Sequence, residues 1–424
     1  MRSLFINRNY TLFMVGAFVS ATGSWIQTVA LGWLVLDLGN SDFLLGLVGF
    51  ARMIPLLVLS FPAGALADRF DRRKMLLLSQ WGAALTAAPL AIATWLGIAS
   101  IPLIVGLALI AGVFDAFAWP VWSVFIKDLV GPERLRTAVA VNSTRFNLTR
   151  IVGPSIGGVL LASFGTTLCF AVSAVCALGV VGACMLIRLP PYPRRETGPW
   201  LPALRNGLSY AVGEPEVRRL LLITTGLGLF ALPYQQLLPA VARDDLDTGP
   251  EGLGLLMTAV GLGAIVGAML SGTKPVQRRA TRLVLLLPIG LGASVAGLGL
   301  APSVPLAMVA LAGVGLCSIG YMSLASASVQ LTARDEMVGR VMGLWTVVQA
   351  GMMPLGSLGL GALGDMAGLP ITLALAGVAT AAVALGLGRR PLPAAERNQR
   401  GAQAEQQDGG RHVGRPLEVG RPAR

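Results

Sequence analysis

Apolar runs of about 20 residues, separated by short polar or glycine-bearing stretches, recur along the whole chain, and that is the length a helix needs to cross a bilayer core. Such a helix satisfies its own backbone hydrogen bonds, so lipid can surround it. Twelve spans are expected, near 11–37, 43–66, 75–97, 101–126, 138–163, 166–187, 219–242, 253–273, 281–300, 304–329, 340–364 and 369–388. The expected fold class is an all-α membrane protein. The first run reads as a span and not as a cleavable signal peptide: it is too long, and no small-residue cleavage site leads from it into a soluble domain.

Composition agrees with this reading. Of 424 residues 54% are hydrophobic and 53 are glycine, beyond what a soluble domain carries. The net charge of +12 would fit a nucleic-acid binder, but the distribution of the bases argues for topology. Twenty-nine of the 33 Lys and Arg residues fall in the N-terminal arm, the even-numbered loops or the tail. Arg243 stands alone in the opposite loops. The positive-inside rule then puts both termini in the cytoplasm of a bacterial inner membrane, with lipid and no nucleic acid as the surroundings. The four cysteines, Cys169, Cys176, Cys184 and Cys317, lie inside spans and read as small apolar fillers. His412, in the tail, is the single histidine, so no His-based metal site or catalytic triad is expected. No G-x-x-x-x-G-K-[ST] stretch is present. The chain is not expected to be an enzyme or to hold a cofactor.

The spans divide into two sets of six. We expect an N-terminal bundle at 1–187, a basic, proline-bearing cytoplasmic loop at 188–218, a C-terminal bundle at 219–388, and a disordered polar tail at 389–424. The sets echo each other. At an offset of 203 residues, Gly153, Gly158 and Gly165 fall on Gly356, Gly361 and Gly368. Parallel six-span repeats are a common transporter architecture.

Between the second and third spans lies "GALADRFDRRK", residues 64–74. Asp68 here would end a helix, where a carboxylate faces the negative end of the macrodipole and needs a cationic or helix-N-terminal partner. A bond made in one conformation and broken in another would act as a latch. The stretch resembles the G-x-L-a-D-R-x-G-R-[RK] signature of the major facilitator superfamily, with Gly64, Asp68, Arg69, Arg72 and Arg73 in register and Asp71 where that family has glycine. The resemblance covers residues 1 to 388. It implies alternating access between two six-helix bundles, a cytoplasmic latch in this loop, and a monomer. A second stretch, "RIVGPSIGGVL" at 150–160, is similar to the G-P-x-x-G-G core of the motif found in the family's antiporters, through Gly153, Pro154, Gly157 and Gly158. With "NRN" at the N-terminus and "GLVGFAR" in the second span, the chain is most similar to the bacterial siderophore and macrolide exporters of that superfamily.

Four ionisable residues sit inside spans, where charge is costly and marks function by default: Arg52, Asp115, Arg145 and Arg150. Asp115 is the expected proton carrier, since a carboxylate whose arginine pairing changes with access can take a proton on one side and release it on the other. A fixed ion pair with Arg52 or Arg150 is the structural alternative, and the arginines could instead meet an anionic substrate. Expected cavity residues are Trp25, Gln27, Trp119, Tyr234, Gln235, Gln236, Tyr321 and Gln349, a mix suited to a large amphiphile. Asp365, near the outer end of the eleventh span, is expected to cap that helix or face water. The expected function is secondary active transport: proton-coupled efflux of a drug, macrolide or siderophore. Two alternatives stay open, an importer or facilitator on the same fold and a membrane sensor without transport.

Overall fold

The computed structural model describes residues 8–67, 71–131, 133–187 and 200–388, and among them the regular structure is helical. Ten spans are separate helices: Arg8–Gly39, Asp42–Ala67, Arg72–Trp95, Ile101–Val130, Pro215–Asp245, Pro250–Ser271, Ala280–Gly299, Val304–Thr332, Val338–Ala367 and Leu369–Gly388. The fifth and sixth share one 52-residue run, Leu135–Leu186, which doubles back at Gly165. Along the first span, Trp25 and Ile26 meet Gly153 and Gly157 of the fifth in the same chain direction. Gly16 and Gly23 meet Gly179 and Cys176 of the sixth in the opposite direction. Gly165 has φ 77° and ψ −179°, a conformation essentially reserved for glycine, so the turn needs no loop. Gly368, with φ 84° and ψ 150°, makes the same turn between the eleventh and twelfth spans. The echo at offset 203 is at this position a repeated piece of backbone geometry.

The membrane offers little hydrophobic drive for helix association, so close approach of small residues has to supply the packing. "GLGAIVG" at 261–267 serves this purpose: Gly263 and Gly267 set the eighth span against Ala312 and Leu316 of the tenth, with no room for a Cβ. Large apolar side chains such as Leu85, Val175 and Val309 point outward and are left for lipid to cover.

One stretch departs from the expected boundaries. Within the loop expected at 188–218, residues 188–199 lie outside those described, and Trp200–Gly213 is a helix. Pro215 then opens the seventh span at N1, where its missing N–H costs nothing. The Pro- and Gly-rich flanks disguised this helix. It packs on the start of the eleventh span, with Gly207 against Arg340 and the Tyr210 hydroxyl accepting from the Arg334 backbone N–H at 3.1 Å. The tail at 389–424 lies outside the described residues.

The two sets of six spans meet along two seams, fifth against eighth and second against eleventh. In the first seam the Gly158 and Gly254 backbones face each other. A Cβ on Gly158 would lie 2.6 Å from the Pro250 carbonyl oxygen, and one on Gly254 would lie 2.9 Å from that of Pro154. Ser155 and Thr258 share a 2.7 Å hydrogen bond beside them. In the second seam Asp365 acts on the start of the second span. Its carboxylate accepts the Asp42 backbone N–H and the Ser41 hydroxyl, both at 2.6 Å. Ser41 in turn accepts the Leu44 N–H at 3.3 Å, so this helix start is capped by its own serine and by an acid from another helix. Arg243, in the last turn of the seventh span, reaches Asn40, and its Nη1 lies 3.7 Å from Asp37 of the first span. These links cluster toward the face whose connections are shortest, here called the short-loop face. The opposite, basic face carries the 64–74 stretch.

Candidate functional site

A cavity of about 650 Å³ lies between the two sets of spans, lined from the first five spans on one side and the seventh, eighth and eleventh on the other. The charged groups on its wall are Arg52, Asp115 and Arg145. Arg52 Nη2 donates to Asp115 Oδ2 at 3.3 Å, joining the second span to the fourth. The two side chains keep 29% and 51% of their surface open, so the pair faces the cavity and not a sealed core. Open pairs are worth ~1 kcal/mol or less, which makes this one easy to break. The cavity therefore holds a carboxylate in an open pair with an arginine.

The structure brings only some of the expected residues to this wall. Trp25, Gln235 and Gln236 line it with the three charges. The seventh span departs from regular helix beside the glutamines. It makes a π turn at Leu227–Ala231, followed by Pro233, and a second one at Val241–Asp245 after Pro239. Gln27, Tyr234, Tyr321 and Gln349 lie off the lining. Gln27 accepts from Ser173 at 3.1 Å inside the first six spans. Tyr321 is fully buried, sharing a 2.9 Å hydrogen bond with Thr224 and donating to the Leu220 carbonyl at 3.2 Å, which ties the tenth span to the seventh. Arg150 lies beside the buried Tyr234 hydroxyl and off the cavity lining. Asp68, Arg69 and the side chain of Trp119 lie outside the described residues. Sequence reasoning passed over Gln80, Asn142 and three cavity methionines, Met53, Met257 and Met353. Gln80 and Asn142 are amides in spans, a signal of the same kind as the charges but weaker; the methionines carry no signal distinct from packing.

The 64–74 stretch can be followed in part. Gly64 falls in the last turn of the second helix. Asp71, the residue that departs from the family signature, is the N-cap of the third helix and accepts the Arg73 N–H at 2.8 Å. Arg72 Nη1 donates to Asp128 Oδ2 of the fourth span at 2.6 Å, and Arg73 Nη2 reaches the Met185 carbonyl at 3.3 Å. These contacts of Arg72 and Arg73 lie within the first six spans. A double-mutant cycle on Arg72→Ala and Asp128→Ala is expected to give a coupling of ~1 kcal/mol in thermal unfolding, the value for a partly exposed pair. A coupling near zero would mean that the Arg72–Asp128 contact contributes nothing to stability.

Gly153, Pro154, Gly157 and Gly158 serve two neighbours at once. Gly153 and Gly157 seat the fifth span on Trp25 and Ile26 of the first, while Pro154 and Gly158 face the eighth. The motif thus lies where one set of spans touches the other, beside the cavity.

Comparison with known proteins agrees with this geometry. The family model MFS_3, transmembrane secretion effector, a branch of the major facilitator superfamily, matches residues 4–410. The chain belongs to this family. Among curated members, the staphyloferrin A transporter of Staphylococcus aureus is 24% identical over 375 residues, covering 88% of this chain and 94% of its own. The multidrug efflux pump Tap of Mycolicibacterium fortuitum is 29% identical over 374 residues, covering 85% and 90%. The enterobactin exporter EntS of Shigella boydii is 30% identical over 354 residues, covering 82% and 83%. A solved bacterial homologue of the lysosomal transporter Spinster, inward-facing and unoccupied, superposes with a TM-score of 0.66 at 15% identity over 90% of this chain and 95% of its own. At that identity the likeness establishes the fold. This major facilitator chain is a multi-pass inner-membrane protein, and its relatives are transporters, not enzymes.

Proposed function

We propose that the chain is a proton-driven exporter of amphiphilic small molecules. The observation that carries this reading is the open Arg52–Asp115 pair on the wall of a cavity between the two sets of spans. A protonated Asp115 releases Arg52, and an ionised one recaptures it, so proton occupancy can be exchanged against a ligand in the same space. The apolar wall with tryptophan, methionine and glutamine side chains suits an amphiphile. The direction rests on the relatives named as an exporter and an efflux pump, and on the Gly153–Gly158 motif. The moving units are the bundles 1–187 and 219–388, joined by 188–218 and followed by the tail 389–424. They rock about the cavity in a single monomer. The termini and the basic face lie in the cytoplasm, in keeping with the positive-inside rule. With that orientation the closed seams are external and the cavity opens inward.

The test is efflux of a dye, a macrolide and a siderophore in everted membrane vesicles, with and without a proton gradient. Wild type is expected to move at least one of them under the gradient. Asp115→Asn is expected to retain roughly a tenth of that rate or less. Equal transport by wild type and mutant removes Asp115 as the coupling group. Gradient-driven uptake in right-side-out vesicles makes the protein an importer.

A further inference from the structure

Of the three arginines placed inside spans, one lines the cavity with no carboxylate paired to it. Arg52 is held by Asp115, and Arg150 lies beside Tyr234. Arg145, on the cavity wall, is hydrogen-bonded by neutral groups and has the Tyr10 phenol as a neighbour. Its Nε and Nη2 donate to the Asn142 side-chain carbonyl at 3.2 and 3.1 Å, and its Nη1 donates to the Ala17 backbone carbonyl at 2.9 Å. The guanidinium carbon sits 5.9 Å from the centre of the Trp122 ring. Among the described residues no carboxylate lies within ion-pair distance of it.

These contacts fix the group without neutralising it. A guanidinium has five N–H donors. The three hydrogen bonds use one on each nitrogen, which leaves one N–H on each terminal nitrogen for another acceptor. Asn142, one turn earlier on the same helix, and Ala17 on the first span hold the plane of the group. Trp122 packs against Phe13, their ring centres 5.3 Å apart, which steadies the aromatic side of the contact. An arginine pre-oriented in this way, at the edge of an apolar cavity in the membrane, is costly to keep unless something anionic comes to it. The wall as a whole carries two arginines and one aspartate, so it stays one positive charge in excess when Asp115 is ionised.

We infer that the cavity selects amphiphiles bearing an anionic oxygen group, a carboxylate or its equivalent, and that Arg145 is the residue that binds this group. Arg52 and Asp115 are then left for coupling, and recognition and proton exchange occupy different side chains of one cavity. The inference rests on the transport reading above. It makes Arg145 a determinant of selectivity and not a strut, and the two roles separate experimentally. A strut affects all ligands alike. An anion reader affects only the charged one.

The experiment uses two probes with one apolar body, 1-pyrenebutyrate and 1-pyrenebutyramide, titrated calorimetrically against the full chain in nanodiscs, with empty nanodiscs as the blank. Wild type is expected to bind the carboxylate about tenfold or more tightly than the amide, the size of one charge-assisted contact. Arg145→Gln should bring carboxylate affinity down to that of the amide and leave the amide unchanged. Arg52→Gln should keep the preference. Arg145→Lys, which retains charge but not the fork, should keep part of it and serves if the glutamine variant does not fold. Equal binding of the two probes by wild type, loss of both in Arg145→Gln, or binding of neither overturns the inference. Gradient-driven efflux of a neutral dye by the same preparation would leave the exporter reading standing in any of those cases. A selective Arg145 without gradient-driven efflux would overturn the exporter reading alone.

Discussion

Gly158→Leu is expected to stop the proposed export and to open the short-loop face. At this position the fifth and eighth spans touch backbone to backbone: a Cβ would sit 2.6 Å from the Pro250 carbonyl oxygen and 3.2 Å from the Gly254 Cα. Neither neighbour is a side chain that can rotate aside, so a leucine forces the helices apart. Overpacking of this kind costs ~1–3 kcal/mol or more. The cost falls on the state in which this seam is shut, and by itself moves the balance between closed and open forms by about 5- to 150-fold. The measurement is labelling of Thr28→Cys, a cavity-wall position, with a membrane-impermeant maleimide applied from the short-loop face, beside vesicle efflux. Gly158→Leu should raise labelling and abolish efflux; Gly158→Ala should do both to a smaller degree. Unchanged labelling and efflux in Gly158→Leu would mean that the seam has room the geometry denies.

The second large effect is expected from Asp365→Ala. The carboxylate holds two donors at 2.6 Å, the Asp42 N–H and the Ser41 hydroxyl, across the other seam. Loss of a capping side chain costs about 0.5–2 kcal/mol, and a hydrogen bond to a charged group contributes ~1.5–3 kcal/mol. Both contacts join the second span to the eleventh, so their loss loosens the shut seam specifically. Labelling at Thr28→Cys from the short-loop face should rise roughly tenfold, the factor that corresponds to ~1.4 kcal/mol. Asp365→Asn keeps an acceptor for the backbone N–H and should fall between alanine and wild type. If Asp365→Ala lowers thermal stability but leaves labelling as it was, the acid stabilises one helix end and has no part in the gate.

What the sequence made legible follows from the cost of placing groups in lipid. Charges in apolar runs stand out, which is why Arg52, Asp115 and Arg145 could be picked out without coordinates, as could the spans themselves. The offset between Gly165 and Gly368 was legible for a related reason, since only glycine accepts that turn. Rotation of each helix about its axis was not legible. Long spans that are apolar on nearly every side leave no moment to orient them, so Tyr321 and Gln27 read as cavity groups although they face neighbouring helices. Partners across distant sequence were hidden too. Nothing local to Asp365 points to Ser41 and Asp42, and nothing local to Arg72 points to Asp128. Asp71 shows the opposite case: a departure from a family signature that capping chemistry explains once the helix start at Arg72 is known.

The turns at Gly165 and Gly368 and the short connections beside them bear on how the protein meets reagents. On that face the helices are joined by residues 40–41, 96–100, 246–249 and 300–303, with single glycines at 165 and 368. A protease needs a segment that can peel away into its cleft, and an antibody needs a surface that rises above the lipid headgroups; these connections supply neither. In the orientation proposed above, trypsin added to intact cells should leave the chain whole, and cut it readily in inverted vesicles, where the arginine-rich stretches between spans come within reach. An epitope or fluorescent tag for tracking the protein belongs at its termini. Inhibitors aimed at the short-loop face would have to be small enough to enter between the helices.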